Sequence, residues 1–257
     1  IAVPTAMGVK DLKDFVARYF VRKGLAIGVA GDITPEELAV RLDEVFGRLP
    51  QSRPIEAVPE VQPSNAGKIV VVTRDVPQSV VLFGQAGIKR DDPDWYPAYV
   101  MNRILGGGGF SSRLMEEVRE KRGLAYSVYS YLSPYEHSAL YMGGVGTANA
   151  RVAESLRIIR EEWQRMAEKG VTEEELASAK TYINGSFPLR LDSTRRIAGI
   201  LVTMQISRLG IDHIAKRAQL IDAVTTKDIR RVAKRLLDPE ALTVVVVGKP
   251  EGLEATK

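Results

Sequence analysis

Residues Leu105–Tyr131 read LGGGGFSSRLMEEVREKRGLAYSVYSY. Four glycines, Gly106 to Gly109, pass through Phe110 into Ser111 and Ser112. The charged stretch Ser112–Lys121 predicts a helix with Leu114 and Val118 on one face and Arg113, Glu117 and Lys121 on another. Gly123 then marks a turn, and Ala125–Leu132 predicts a tyrosine-rich strand. Arg119 and Tyr126 lie seven residues apart across this turn. A helix-to-strand turn can bring a permanent guanidinium and a phenol hydroxyl to one place, where both donate to a peptide carbonyl or to charge developing on it. Plainer readings stand beside this one. Arg119 can be a solvated helix charge paired with Glu116, and Tyr126 an ordinary strand aromatic.

The glycine run is also open to more than one reading. It lacks the Lys-Ser/Thr ending of a phosphate-binding loop, and a helical stretch rather than a strand precedes it. It reads either as a turn capped by Ser111 or Ser112, or as a loop whose bare backbone comes close to a ligand.

Working outward, Lys68–Thr73 and Ser79–Ala86 predict valine-rich strands, and Trp95–Leu105 a helix. Ala139–Val145 forms a hairpin with Ala125–Leu132 around Ser133–His137. Asn149–Lys169 carries the apolar stripe Val152, Leu156, Ile159, Trp163 and Met166. Thr172 and Glu175 make a capping box that opens helical sequence to about Ser207, bent near Pro188. Ile211–Ala223 and Thr225–Leu236 predict further helices, and Leu242–Val247 a closing strand. This order predicts an α+β two-layer sandwich: a mainly antiparallel sheet with helices on one face.

Residues 1–49 predict the trailing helix–strand–helix of a similar first domain: a helix over Gly8–Phe20, a buried strand over Leu25–Ala30, and a helix opened by the Thr34–Glu37 capping box. Val29-Ala30-Gly31 and Val246-Val247-Gly248 hold equivalent places, an echo that suggests two related domains. Residues 50–66, with prolines at 50, 54, 59 and 63, read as a linker. Residues 67–250 read as the complete second domain and 251–257 as a tail.

Composition narrows the function. The 257 residues carry a net charge of +4 with charges interspersed, which does not favour a nucleic-acid partner. No cysteine is present, which excludes disulfides, thiolate metal sites and a cysteine nucleophile. No apolar run reaches the roughly 20 residues of a membrane span. The two histidines, His137 and His213, lack the helical spacing of a zinc motif, and Pro134 breaks any helix at the first. The first residue is Ile1, so the chain is expected to be a processed or truncated piece. A removed leader would favour the periplasm or another extracytoplasmic compartment.

The segment Leu105–Leu114, continued by Arg119–Val128, resembles the carboxy-terminal half of the pitrilysin/insulinase family of zinc metallopeptidases, which includes the mitochondrial processing peptidase. Gly8 to Pro50 is similar to the end of that family's first domain, and Lys68 to Gly248 to its second. The resemblance implies two halves that close around an unfolded peptide, one bearing His-x-x-Glu-His and zinc, the other an arginine and a tyrosine that reach the substrate. By motif position these are Arg119 and Tyr126, with Gly106, Gly107, Gly108, Gly109 and Phe110 as a substrate-binding or gating loop. The chain has no His-x-x-Glu-His motif or its inverse. The resemblance therefore implies no cofactor on this chain and Zn2+ in a partner subunit or an upstream domain. It implies a zinc-bearing homologous subunit (a heterodimer) or a homodimer as partner, a peptide as substrate, and no activity from this segment alone. The alternative is a non-catalytic scaffold, like the core subunits of a respiratory complex.

Overall fold

In the computed structural model, residues 7–54 and 57–256 are described; positions 1–6, 55–56 and 257 of the expected domain tail, linker and C-terminal tail lie outside them. The chain divides into two compact units. One comprises Ile1–Pro59 with Pro188–Gly210, the other Glu60–Phe187 with Ile211–Lys257. The contiguous reading of 67–250 thus differs from the structure at 188–210, which groups with the amino-terminal segment.

The larger unit is built on a five-stranded sheet: β1 (Ile69–Thr73), β2 (Gln78–Ala86), β3 (Ala125–Pro134), β4 (Ala139–Ala148) and β5 (Thr243–Gly248), in the order β1-β5-β2-β4-β3. Among the described residues only the β1–β5 pair is parallel; the other pairs are antiparallel. Alternation on β2 turns Val81, Phe83 and Gln85 inward and leaves Val80 and Leu82 exposed. Helices α3 (Trp95–Leu105), α4 (Val152–Lys169), α5 (Glu173–Ser186), α7 (His213–Asp222) and α8 (Thr226–Leu236) complete this unit. The stripe expected on α4 is buried, and Trp163 on it meets Phe83 edge-on at 5.6 Å and stacks on Tyr141 at 5.3 Å. The inner sheet face and the helices therefore share one core, while the other face shows Val70, Val72, Val80, Leu82, Tyr129 and Tyr131. This is the expected α+β architecture. Thr172 and Thr225 cap α5 and α8 through reciprocal bonds with Glu175 and Asp228.

The smaller unit holds α1 (Val9–Tyr19), α2 (Pro35–Phe46) and α6 (Thr194–Ile206). The helical sequence expected from Thr172 to Ser207 is two helices, α5 and α6, separated by a 3-10 turn at Pro188–Arg190. Leu25–Ala30 is not the strand the sequence suggested. A strand needs a ladder partner; here the Ile27 carbonyl instead accepts from the Gln205 side chain at 2.7 Å. A Cβ on Gly28 would stand 2.3 Å from the Ala198 carbonyl oxygen, so the segment lies tight against α6.

The echo between the chain's two ends extends further than one tripeptide. Residues 9–32 and 226–249 align without a gap, placing Leu12, Phe15, Val16 and Tyr19 on Ile229, Val232, Ala233 and Leu236. On α8 those side chains are buried; on α1 their counterparts are exposed, Leu12 by 55% against 0% for Ile229.

Candidate functional site

The helix expected over Ser112–Lys121 is a π-helix over Met115–Glu120. The backbone N–H of Lys121 donates to the Glu116 carbonyl five residues back at 2.9 Å. Single π turns of this kind recur at functional sites. Gly123 comes next with φ of 60°, a conformation open to glycine, and its N–H closes on the Arg119 carbonyl at 2.8 Å. The chain then enters β3. Ala125 pairs with Thr147 and Ser127 with Gly146, so Tyr126 has no register partner. It is the extra residue of a β-bulge, a device that re-aims a side chain. The ring is accordingly 80% exposed.

Sequence spacing brought Arg119 and Tyr126 to one turn, and the structure brings them into contact. The Arg119 guanidinium carbon lies 4.7 Å from the Tyr126 ring centroid and 4.5 Å from that of Phe110. The cation is thus flanked by two aromatic rings, an attraction of about 0.5–1 kcal/mol per ring at exposed sites. A cation–ring contact uses no N–H of the guanidinium, which keeps its donors for an acceptor. Its carboxylate neighbour is Glu120 at 3.4 Å, not Glu116, which pairs with Lys121.

The glycine loop is anchored at its base. The N–H groups of Gly106 and Gly107 both donate to the Asn102 carbonyl, at 3.0 and 2.7 Å. The Gly106 carbonyl accepts from Ser130 N–H on β3 at 3.3 Å, and a Cβ on Gly106 would stand 2.3 Å from Ser130 Oγ. Glycine is required there for close approach. At Gly109 it is required by φ of 57°. Arg103 ties the loop to α5: it stacks on Tyr182 at 3.7 Å and donates to Ser111 Oγ at 3.2 Å. Ser112 Oγ donates to the Gly109 carbonyl at 2.8 Å and accepts from the Met115 N–H at 3.4 Å, the latter bond being the expected serine cap. Beyond these anchors Phe110 projects, 67% exposed.

Two functional-looking side chains prove to be structural. Arg113 is buried, forming a bidentate pair with Glu175 at 2.7 Å per bond and donating to the Gly170 carbonyl. Glu117 is also buried. Burial pushes its carboxyl up, but Lys121 and Arg122 outweigh that and hold it below the usual range. Neither burial is visible in a helical wheel, because for Arg113 the covering partners, Glu175 and the Gly170 carbonyl, come from distant parts of the chain.

His137 lies 3.6 Å from Glu60, and His213 stacks on Tyr96, so the histidines serve separate places. Among the described residues no three of His, Cys, Asp or Glu group as metal ligands, so those residues offer no set that fits zinc. A cavity of about 300 Å³ lies beside the loop, lined by Arg103, Ser111, Arg113, Glu116, Glu174 and Glu175 among others. Another, of about 390 Å³, lies at the Gly87–Ala139 end of the sheet. Neither includes Arg119 or Tyr126, which stand at the surface.

Comparison with known proteins gives a consistent set of findings. The family described as "Peptidase M16 inactive domain" matches residues 6–183. An uncharacterized zinc protease of Streptomyces coelicolor is 30% identical over 241 residues, covering 90% of this chain and 52% of the relative. The non-peptidase homolog YmxG of Helicobacter pylori is 36% identical over 183 residues, covering 70% of this chain and 41% of the relative. The chain thus spans about half the length of the curated relatives it matches. Among solved structures, a peptidase M16 inactive domain from Pseudomonas fluorescens superposes with a TM-score of 0.87 at 28% identity, covering 98% of this chain and 59% of that one.

Proposed function

Since the chain belongs to the peptidase M16 family, as its inactive domain, we propose that it is the peptide-gripping half of a zinc metalloendopeptidase. Arg119 and Tyr126 hold the substrate carbonyl near the bond to be cut. One observation carries the reading: the Arg119 guanidinium carbon lies 4.7 Å from the centre of the exposed Tyr126 ring, one residue raised on a π turn and the other on a bulge. A ladder or a regular helix gains nothing from either irregularity, whereas a ligand contact does. Phe110 and the glycine run border the same spot and form the substrate loop.

Zinc, which supplies the activated water, is held outside this chain, by an upstream domain or a homologous partner subunit. The part of Arg119 and Tyr126 is to orient the carbonyl and donate to it as charge builds, each donor contributing about 2–4 kcal/mol. The ligand is an extended, unfolded peptide lying along the exposed face of Val80, Leu82, Tyr129 and Tyr131.

The test uses the full-length protein with whatever zinc-bearing homologue co-purifies with it, and a fluorogenic peptide library. Arg119→Ala and Tyr126→Phe should each cut turnover about 30- to 1000-fold, while the urea midpoint stays put for Tyr126→Phe and falls for Arg119→Ala only by the ~1–2 kcal/mol of its two ring contacts. Wild-type cleavage by both variants removes the proposal. A second reading, a non-catalytic scaffold, is favoured by the likeness to the Helicobacter pylori non-peptidase homolog. It gains if no mixture of full-length protein and co-purifying subunits cleaves any peptide, and if both variants assemble as the wild type does.

A further inference from the structure

The π turn that carries Arg119 is held by a charge cluster on its inner side. Glu117 sits in the turn with its side chain 9% exposed. Its carboxylate accepts from Lys121 Nζ at 2.8 Å and from Arg122 Nη1 at 2.6 Å, and Arg165 of α4 stands 3.9 Å away. Arg122 Nη1 also donates to the backbone carbonyl of Glu117 at 2.8 Å. In an α-helix the Lys121 N–H would serve that carbonyl, but here it has gone to Glu116. A side chain thus fills the vacancy that the π turn creates. Downstream, Leu124 N–H donates to the Val118 carbonyl at 2.9 Å, Arg151 donates to the Gly123 carbonyl at 2.6 Å and Thr147 Oγ1 to the Leu124 carbonyl at 2.5 Å.

A π turn is rarely stable on its own and persists where neighbours select it. Its extra residue rotates the downstream chain by about 100° relative to a continuous α-helix. Loss of the turn would swing Arg119 and the entry into β3 relative to one another. We propose that Glu117, clasped by Arg122, is the positioning residue that holds the π turn and so aims Arg119 between Phe110 and Tyr126. The inference rests on the reading of Arg119 and Tyr126 as the substrate grip, and it adds a residue that touches no substrate.

The experiment compares Glu117→Gln with Arg122→Gln in the full-length protein. Arg122 is the more exposed partner, which keeps the test available if Glu117→Gln fails to fold. The first readout is the side-chain Nε–H resonance of Arg119, assigned by its disappearance in Arg119→Lys. Between two rings this proton is shifted upfield, and either variant should return it towards the position of a solvated arginine. The second readout is cleavage by the zinc-bearing complex, where kcat/KM should fall about a hundredfold with kcat carrying the loss. An unmoved resonance in both variants overturns the positioning role whatever happens to cleavage. A moved resonance together with wild-type cleavage by Arg119→Ala keeps the positioning of Arg119 and rejects the grip.

Discussion

Tyr126 and Val128 lie two residues apart on β3, yet truncating them should have unequal consequences for stability. Val128 is 2% exposed and belongs to the core. Val128→Ala removes two carbon groups at about 0.8 kcal/mol each and leaves a small void, for a cost of about 1.6–3 kcal/mol. Tyr126 is mostly solvated and has no partner in the ladder. Tyr126→Ala forfeits its share of the stack on Arg119, about 0.5–1 kcal/mol, and little burial. The assay is urea unfolding monitored by tryptophan fluorescence. Both tryptophans, Trp95 and Trp163, lie in the larger unit, and Trp163 is fully buried against Phe83 and Tyr141, so the signal reports that unit. A Tyr126→Ala midpoint displaced as far as that of Val128→Ala would refute the assignment of Tyr126 to a solvated bulge, and with it the claim that its place is chosen for a ligand.

Two adjacent features make further outcomes measurable. A Cβ on Gly143 would stand 2.3 Å from the Phe83 ring and 2.5 Å from the Tyr129 carbonyl oxygen, whereas one on Gly146 meets nothing within 4 Å. Gly143→Ala should therefore destabilise by about 1–3 kcal/mol, while Gly146→Ala should leave the urea midpoint unchanged or raise it slightly. For pH, hydrogen bonds from Arg235 hold the Asp92 carboxyl below its usual range. Burial pushes Glu175 up, but Arg113 and the Thr172 N–H outweigh that and hold it low as well. A carboxyl whose folded pKa is depressed stabilises fully above its unfolded pKa and loses that contribution as pH falls through the folded one. The urea midpoint should accordingly drop below about pH 4, and Asp92→Asn should make the drop shallower. A variant profile parallel to the wild type would contradict the assignment.

Much of the architecture can be read from local pattern. The valine-rich run of β2, the stripe on α4, and the threonine caps at 34 and 172 each depend on neighbours within a few residues, and each appears as expected. The meeting of Arg119 and Tyr126 was legible for the same reason, as one turn joins them. The hidden features depend on distant partners. The parallel pairing of β1 with β5 joins residues such as Val70 and Val245, and no local signal names that neighbour. Leu25–Ala30 has the composition of a strand but no ladder beside it. The π turn is set by Arg122 and Glu117 acting together, and helical spacing assumes a regular period. Phe110 was assigned to the loop, but the closing of its ring over Arg119 comes from the left-handed turn at Gly109.

The bulge at Tyr126 has a wider consequence. An inserted residue contributes nothing to cross-strand pairing, so selection on foldability hardly constrains which amino acid stands there. Chemistry can be gained or abandoned at that one position without repairing the scaffold around it. Proteases and non-peptidase relatives can thus descend on a single framework, differing at a place the framework never needed.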